Sequence, residues 1–99
     1  MLRTRRIFEK NRSRFEIIAE ILRNLRVPIC WTNIMSHCNI SSRQSGRYFD
    51  LLRSSGFIQK QVAAGKVTYQ RTDAGREFLK HYNKIVLLLD PSVAPPVQI

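Results

Sequence analysis

The chain has 99 residues, enough for one domain with one modest core, and 43% of them are hydrophobic. Seventeen Lys and Arg against seven Asp and Glu give a formal charge of +10 and a pI near 10.6, a balance that favours polyanionic partners. No apolar run approaches the ~18 residues needed to cross a bilayer, and no apolar stretch with a cleavage site marks a secretory signal; with only Cys30 and Cys38, a disulfide framework is excluded and thiols in an intracellular protein are expected.

Residues 1–12 carry Arg3, Arg5, Arg6, Lys10 and Arg12 and read as a flexible basic arm. The first helix is predicted to begin near Ser13, because Ser13 followed by Glu16 has the spacing of a capping box. Phe15, Ile18, Ile21, Leu22 and Leu25 recur at three- and four-residue intervals on one face, and Pro28 stops the helix. Ile29 and its neighbours have the character of a very short strand. Thr32 is the expected cap of a brief second helix that carries Ile34, Met35 and Cys38. Asn39 tolerates left-handed backbone geometry, and Ser41 with Gln44 repeats the capping-box spacing at the entry to a third helix. Two helices joined by a tight turn form a helix-turn-helix.

On the third helix Ser45, Tyr48, Phe49 and Leu52 share one face, while Arg43, Gly46, Arg47 and Asp50 share the other, and Gly56 has the position of a terminating glycine. The period then changes to that of strands. Phe57 to Val62 and Val67 to Arg71 are predicted to pair as a hairpin around Ala63, Ala64, Gly65 and Lys66. Thr72 caps a last helix of about five turns with the stripe Phe78, Leu79, Tyr82, Ile85, Val86 and Leu89, ended by Pro91. Residues 91–99 contain three prolines and no charge, the composition of a flexible tail. The predicted fold is α+β and mostly helical: a winged helix-turn-helix over 13–72, with three helices and a two-stranded wing, followed by a long helix over 73–90.

The segments Thr32-Asn33-Ile34-Met35, Asn39-Ile40-Ser41, Tyr48-Phe49-Asp50-Leu51-Leu52, Gly56-Phe57-Ile58 and Tyr69 to Leu79 carry a family resemblance. Between about Arg14 and Leu89 the chain resembles archaeal winged helix-turn-helix DNA-binding proteins. In particular it is similar to the small basic dimeric regulators and chromatin proteins whose final helix pairs with its mate as an antiparallel coiled coil. Two positions depart from that pattern. Arg71 stands where the family usually has an apolar residue, and Ser45 where it usually has a large one, so looser packing is expected around the hairpin and third helix.

In such a fold the third helix enters the major groove, which makes Arg43, Gln44 and Arg47 the candidate base readers. Ser41 and Ser42, at the helix N-terminus, are candidates for a phosphate. Lys60 and Lys66, with Arg71, are the wing candidates, and Arg3, Arg5 and Arg6 would add phosphate or minor-groove contacts from the arm. For each there is a plainer role: a solvated helix face, edge lysines that discourage strand aggregation, or a solubilising terminus. The last helix has more apolar surface than one small domain needs, so Phe78, Tyr82, Ile85, Val86 and Leu89 are expected to form a homodimer interface, unless the helix folds back on Phe15 and Ile18.

Cys30, His37 and Cys38 do not make a four-ligand metal site, and Trp31 reads as a packing residue at the core or groove edge. His81 and Asp73 lie on a helix without a nucleophile or phosphate-cradling loop, so no enzyme activity, cofactor, metal or small-molecule ligand is expected. The leading expectation is a cytoplasmic, nucleoid-associated homodimer that binds double-stranded DNA as a transcription regulator. An architectural nucleoid-type protein is the nearest alternative, followed by a winged-helix protein-interaction module and an RNA-binding protein.

Overall fold

The computed structural model describes residues 13–89; the basic arm, Pro91 and the Pro-rich tail lie outside the described residues. Chain order is α1 (Arg14–Asn24), α2 (Trp31–Cys38), α3 (Ser42–Ser54), β1 (Ile58–Ala63), β2 (Lys66–Arg71) and α4 (Asp73–Leu89). The architecture is the expected one, three helices, an antiparallel hairpin and a long last helix.

Two of the three caps expected from side-chain spacing before the hairpin form. Ser13 Oγ accepts the Glu16 N–H at 3.1 Å, and Ser41 Oγ accepts the Gln44 N–H at 3.3 Å. The cap of α2 differs. Thr32 is the second residue of the helix and Cys30 occupies the N-cap, with no side-chain bond; its carbonyl accepts the Asn33 and Ile34 N–H groups at 3.1 and 3.2 Å. The cause is tertiary. Ile29 is held to Tyr69 as an isolated bridge, with reciprocal N–H to carbonyl bonds of 3.0 and 2.9 Å, so the chain turns into the helix immediately after it. Asn39 then takes φ 55°, and the Ile40 N–H returns to the Met35 carbonyl.

The hairpin pairs Ile58 with Arg71 through Ala63 with Lys66, leaving Ala64 and Gly65 as a two-residue turn. Both have positive φ, 53° and 76°, as the right-handed twist of the flanking strands demands of such a turn. Gly65 meets that demand freely, whereas Ala64 carries strain.

The core is built around α1, whose Ile17, Ile18, Ala19, Ile21, Leu22 and Leu25 are buried. Phe15, expected on this face, is 62% exposed, and Ile17 is buried in its stead. The wider buried arc follows from α1 packing against α2 as well as α4, which covers more than one stripe. Ser45 is met by Trp31, whose indole N–H donates to Ser45 Oγ at 3.4 Å; Trp31, Phe49 and Tyr69 pack edge to face, with Phe49 centroids 5.0 and 5.1 Å from its two neighbours. Arg71 has a distinct task. Its N–H donates to the Leu25 carbonyl at 3.1 Å and its Nη1 to the Leu22 carbonyl at 3.3 Å, which also accepts the Leu25 N–H, so Arg71 ties off the C-terminal end of α1. Burial, then the nearby Arg76 and Arg26, pull its pKa down.

The start of α4 is locked to the α3–β1 junction. The Thr72 hydroxyl accepts the Gly75 N–H at 3.3 Å and donates to the Gly56 carbonyl, while the Thr72 N–H donates to the Phe57 carbonyl at 2.9 Å. Gly75 lies directly beneath that carbonyl. A Cβ there would stand 2.5 Å from the Phe57 oxygen and 3.3 Å from Leu22 Cδ2. Gly75→Ala is therefore expected to lose about 1–3 kcal/mol of stability through backbone displacement, despite the better helix propensity of alanine; chemical denaturation should show a lower midpoint, and an unchanged or higher midpoint would mean the junction relaxes freely.

Candidate nucleic-acid interface

α3 buries Tyr48 and Leu52 and half-buries Ser45 and Phe49, which turns Ser42, Arg43, Gly46, Arg47 and Asp50 outward. Arg43, Arg47 and Asp50 make no ion pair or side-chain hydrogen bond with another described residue. Ser41 is engaged as the cap, Ser42 is the exposed first residue, and Gln44 is exposed on the same first turn. Gly46 occupies the middle of this outward surface, and a Cβ there would meet no atom within 4 Å. Internal packing thus supplies no reason for a residue that weakens a helix interior.

The two flanks of α3 face different neighbours. On one, Phe49 contacts Tyr69 of β2, and the Arg53 guanidinium lies 5.6 Å from the Phe49 ring centroid. On the other, Arg47, Tyr48 and Leu51 line a cleft of about 260 Å³ together with Arg14, the first residue of α1. Arg14 and Arg53 were absent from the sequence-based candidates. Helical spacing from Arg43 through Gly46 and Asp50 points to Arg53, whereas only the tertiary fold brings Arg14 beside Arg47.

Lys60 and Lys66 are both exposed, but they leave opposite faces of the ribbon. The register pairs Lys60 with Tyr69 and Lys66 with Ala63, and strand alternation puts Ile58, Lys60, Val62, Val67, Tyr69 and Arg71 on one face. Arg71 is spent on the end of α1 rather than free at the wing. Next to the turn, Val62 and Val67 are paired and exposed, giving the wing an apolar shoulder. Arg3, Arg5 and Arg6 lie outside the described residues.

The residues expected at a dimer interface divide into two groups. Tyr82 and Val86 are buried inside the protomer, and Phe78 is half-buried, stacked on Tyr82 at 6.2 Å between centroids. Ile85 and Leu89 are 53% and 69% exposed, and Leu88 is more exposed still. Phe15, Phe78, Tyr82, Ile85 and Leu89 line one apolar groove of about 360 Å³ between the start of α1 and the end of α4. Arg23 of α1 covers the Tyr82 ring at 5.8 Å, and burial followed by the field of Glu16 raises the phenol pKa.

Among the described residues, no three His, Cys, Asp or Glu side chains cluster as metal ligands, and no helix is long and apolar enough to cross a membrane. Cys38 is buried and receives the Asn24 amide at 3.5 Å; Cys30 is half-buried at the start of α2.

The arrangement has counterparts among solved structures. Sso10a-2, a DNA-binding protein from Sulfolobus solfataricus, matches with a TM-score of 0.70 and 21% identity over 81% of this chain and 84% of its own. RV1404 from Mycobacterium tuberculosis matches with a TM-score of 0.59 and 17% identity over 96% of this chain and 69% of its own. At these identities the likeness is one of fold. No curated protein sequence matches at a significant level. The family model for the winged helix-turn-helix matches residues 11–89, spanning every described element, and the chain belongs to the winged helix-turn-helix family.

Proposed function

We propose that this protein is a homodimeric transcription regulator that binds double-stranded DNA, with α3 in the major groove and with the wing and the N-terminal arm on flanking phosphates or minor groove. One observation carries the reading: the outward face of α3 presents Arg43 and Arg47, unengaged by other described residues, on either side of a glycine that packing does not require. Arginine donates two parallel hydrogen bonds to guanine, glutamine pairs with adenine, and Gln44 stands beside Arg43 on the first turn. Net charge of +10 supplies the attraction to phosphate. The similarity in fold to Sso10a-2, a DNA-binding protein, agrees with this reading.

Asp50 favours sequence reading over the architectural alternative. An exposed carboxylate on the groove-facing side repels phosphates and suits a cytosine amino group. Dimerisation rests on the apolar groove between α1 and α4 and on the exposed Ile85, Leu88 and Leu89, which a lone protomer leaves in water.

Fluorescence anisotropy on duplex DNA across a salt series is expected to give a steep salt slope, with affinity for enriched genomic fragments ~10³-fold or more above random sequence. The double variant Arg43→Ala/Arg47→Ala should lose most of that affinity, and a flat salt slope for the wild type would remove the DNA reading. Gly46→Ala should stabilise the fold by about 0.5–1 kcal/mol while weakening DNA binding, because the added methyl group holds the α3 backbone away from the groove. A stability gain without a binding loss would count against groove insertion. In sedimentation the 11.6 kDa chain should run as a dimer at tens of micromolar, and Ile85→Glu/Leu89→Glu should run as a monomer.

A further inference from the structure

Arg14 and Arg47 belong to elements far apart in sequence, yet they line a single cleft whose remaining walls are Tyr48 and Leu51. Both features work against folding. Arg14 is the first residue of α1, where a cation meets the positive end of the helix dipole and an acidic residue would be the stabilising choice. Bringing a second guanidinium to the same cleft adds like-charge repulsion, and neither arginine pairs with a carboxylate among the described residues. Two cations that line one cleft with no acid among its walls are complementary to an anion.

The position of the cleft narrows the choice of anion. The opposite flank of α3 carries Arg53 and the wing, so a duplex that takes α3 in its major groove finds cations for one bordering strand on that side. The other strand borders the α1 flank, where Arg47 lines the cleft. Arg14 adds a second cation on that side. It also follows closely in sequence on the segment that carries Arg3, Arg5, Arg6, Lys10 and Arg12.

We infer that the Arg14–Arg47 cleft is a clamp for one DNA backbone phosphate at the α1 edge of the major groove. Arg47 is then a positioning contact, and base reading falls to the first turn of α3, at Arg43 and Gln44. This rests on the duplex-binding reading above. Tyr48 and Leu51 give the clamp a rigid apolar wall, because Tyr48 is buried and Leu51 half-buried in the core. Two guanidinium groups beside such a wall can meet a phosphate in the forked geometry that lysine cannot reproduce.

The test uses the full chain and duplexes in which single phosphates are replaced by neutral methylphosphonates. Wild-type protein is expected to lose about tenfold in affinity at one phosphate per half-site, and Arg14→Ala to lose a similar factor on native duplex, with a salt slope smaller by about one. In Arg14→Ala and in Arg47→Ala that methylphosphonate should no longer matter, and the loss on native duplex should be equal for preferred and random sequences. Arg14→Lys should keep the salt slope but not the full affinity. Lys84→Ala, on the exposed side of α4, controls for the loss of one charge, and thermal melting confirms that each variant folds. If wild type binds duplex steeply with salt but Arg14→Ala behaves as Lys84→Ala does, the clamp is overturned and the DNA reading stands. A change of sequence preference in Arg47→Ala would overturn it equally, by returning Arg47 to the bases; absence of duplex binding by the wild type would overturn both.

Discussion

The contact between the Phe57 carbonyl and the first turn of α4 is the constraint on which the arrangement depends. That oxygen accepts the Thr72 N–H and lies over Gly75, while the Thr72 hydroxyl reaches back to Gly56. Three elements are joined there: the end of α3, the base of the hairpin and the start of α4. Leu22 of α1 closes the junction from below, and Arg71, one residue before Thr72, holds the last carbonyls of α1. The direction of the wing relative to α3, and of α4 relative to α1, follows from how tightly this junction packs. Only a residue without a side chain permits that closeness.

Against that well-satisfied junction, α3 stands out as a helix that gives up stability. It has a glycine in its middle with open space above it, arginines without internal partners on its outward face, and a neighbouring arginine at the wrong end of a helix dipole. Each of these choices disfavours the isolated protomer by a modest amount, and all lie on one side of the molecule. Violations of local rules that gather on one surface are what a ligand site would require, in keeping with the duplex-binding reading proposed above. The apolar groove between α1 and α4 has the same character at the opposite chemical extreme, because Phe15, Ile85 and Leu89 leave hydrocarbon in water where the first residues of α1 meet the end of α4.

The start of α1 therefore has two neighbours. Arg14 faces the α3 cleft, while Ser13 and Phe15 border the apolar groove. A helix shows successive residues to different sides, so one turn serves both surfaces. In the reading proposed above, the seam between protomers and the phosphate clamp are built on adjacent residues, which makes the spacing of two recognition helices sensitive to how α1 begins.

Much of the fold was legible in the chain itself, for local reasons. Ser13, Ser41 and Thr72 bond amides three residues away, Asn39, Gly56 and Gly65 adopt positive φ, and the change from helical to strand period falls where the hairpin begins. These depend on residues within one turn of each other, and sequence spacing reports them directly. The same spacing showed which face of α3 turns outward. What it could not show depends on contacts between distant segments: Cys30 rather than Thr32 begins α2 because Ile29 is pinned to Tyr69, Phe15 is exposed although it lies on the apolar stripe, Arg71 serves the end of α1 instead of the wing, and Tyr82 and Val86 are buried within the protomer while Ile85 and Leu89 are not. Lys60 and Lys66 look equivalent in the chain, yet pairing register sends them to opposite faces. By itself, then, the sequence determined the elements, their caps and the polarity of each face, since those arise from hydrogen bonds and periodicities a few residues long. Only the tertiary structure decided which cations share a cleft, because the nearness of Arg14 to Arg47 comes from how whole helices pack and has no local signature.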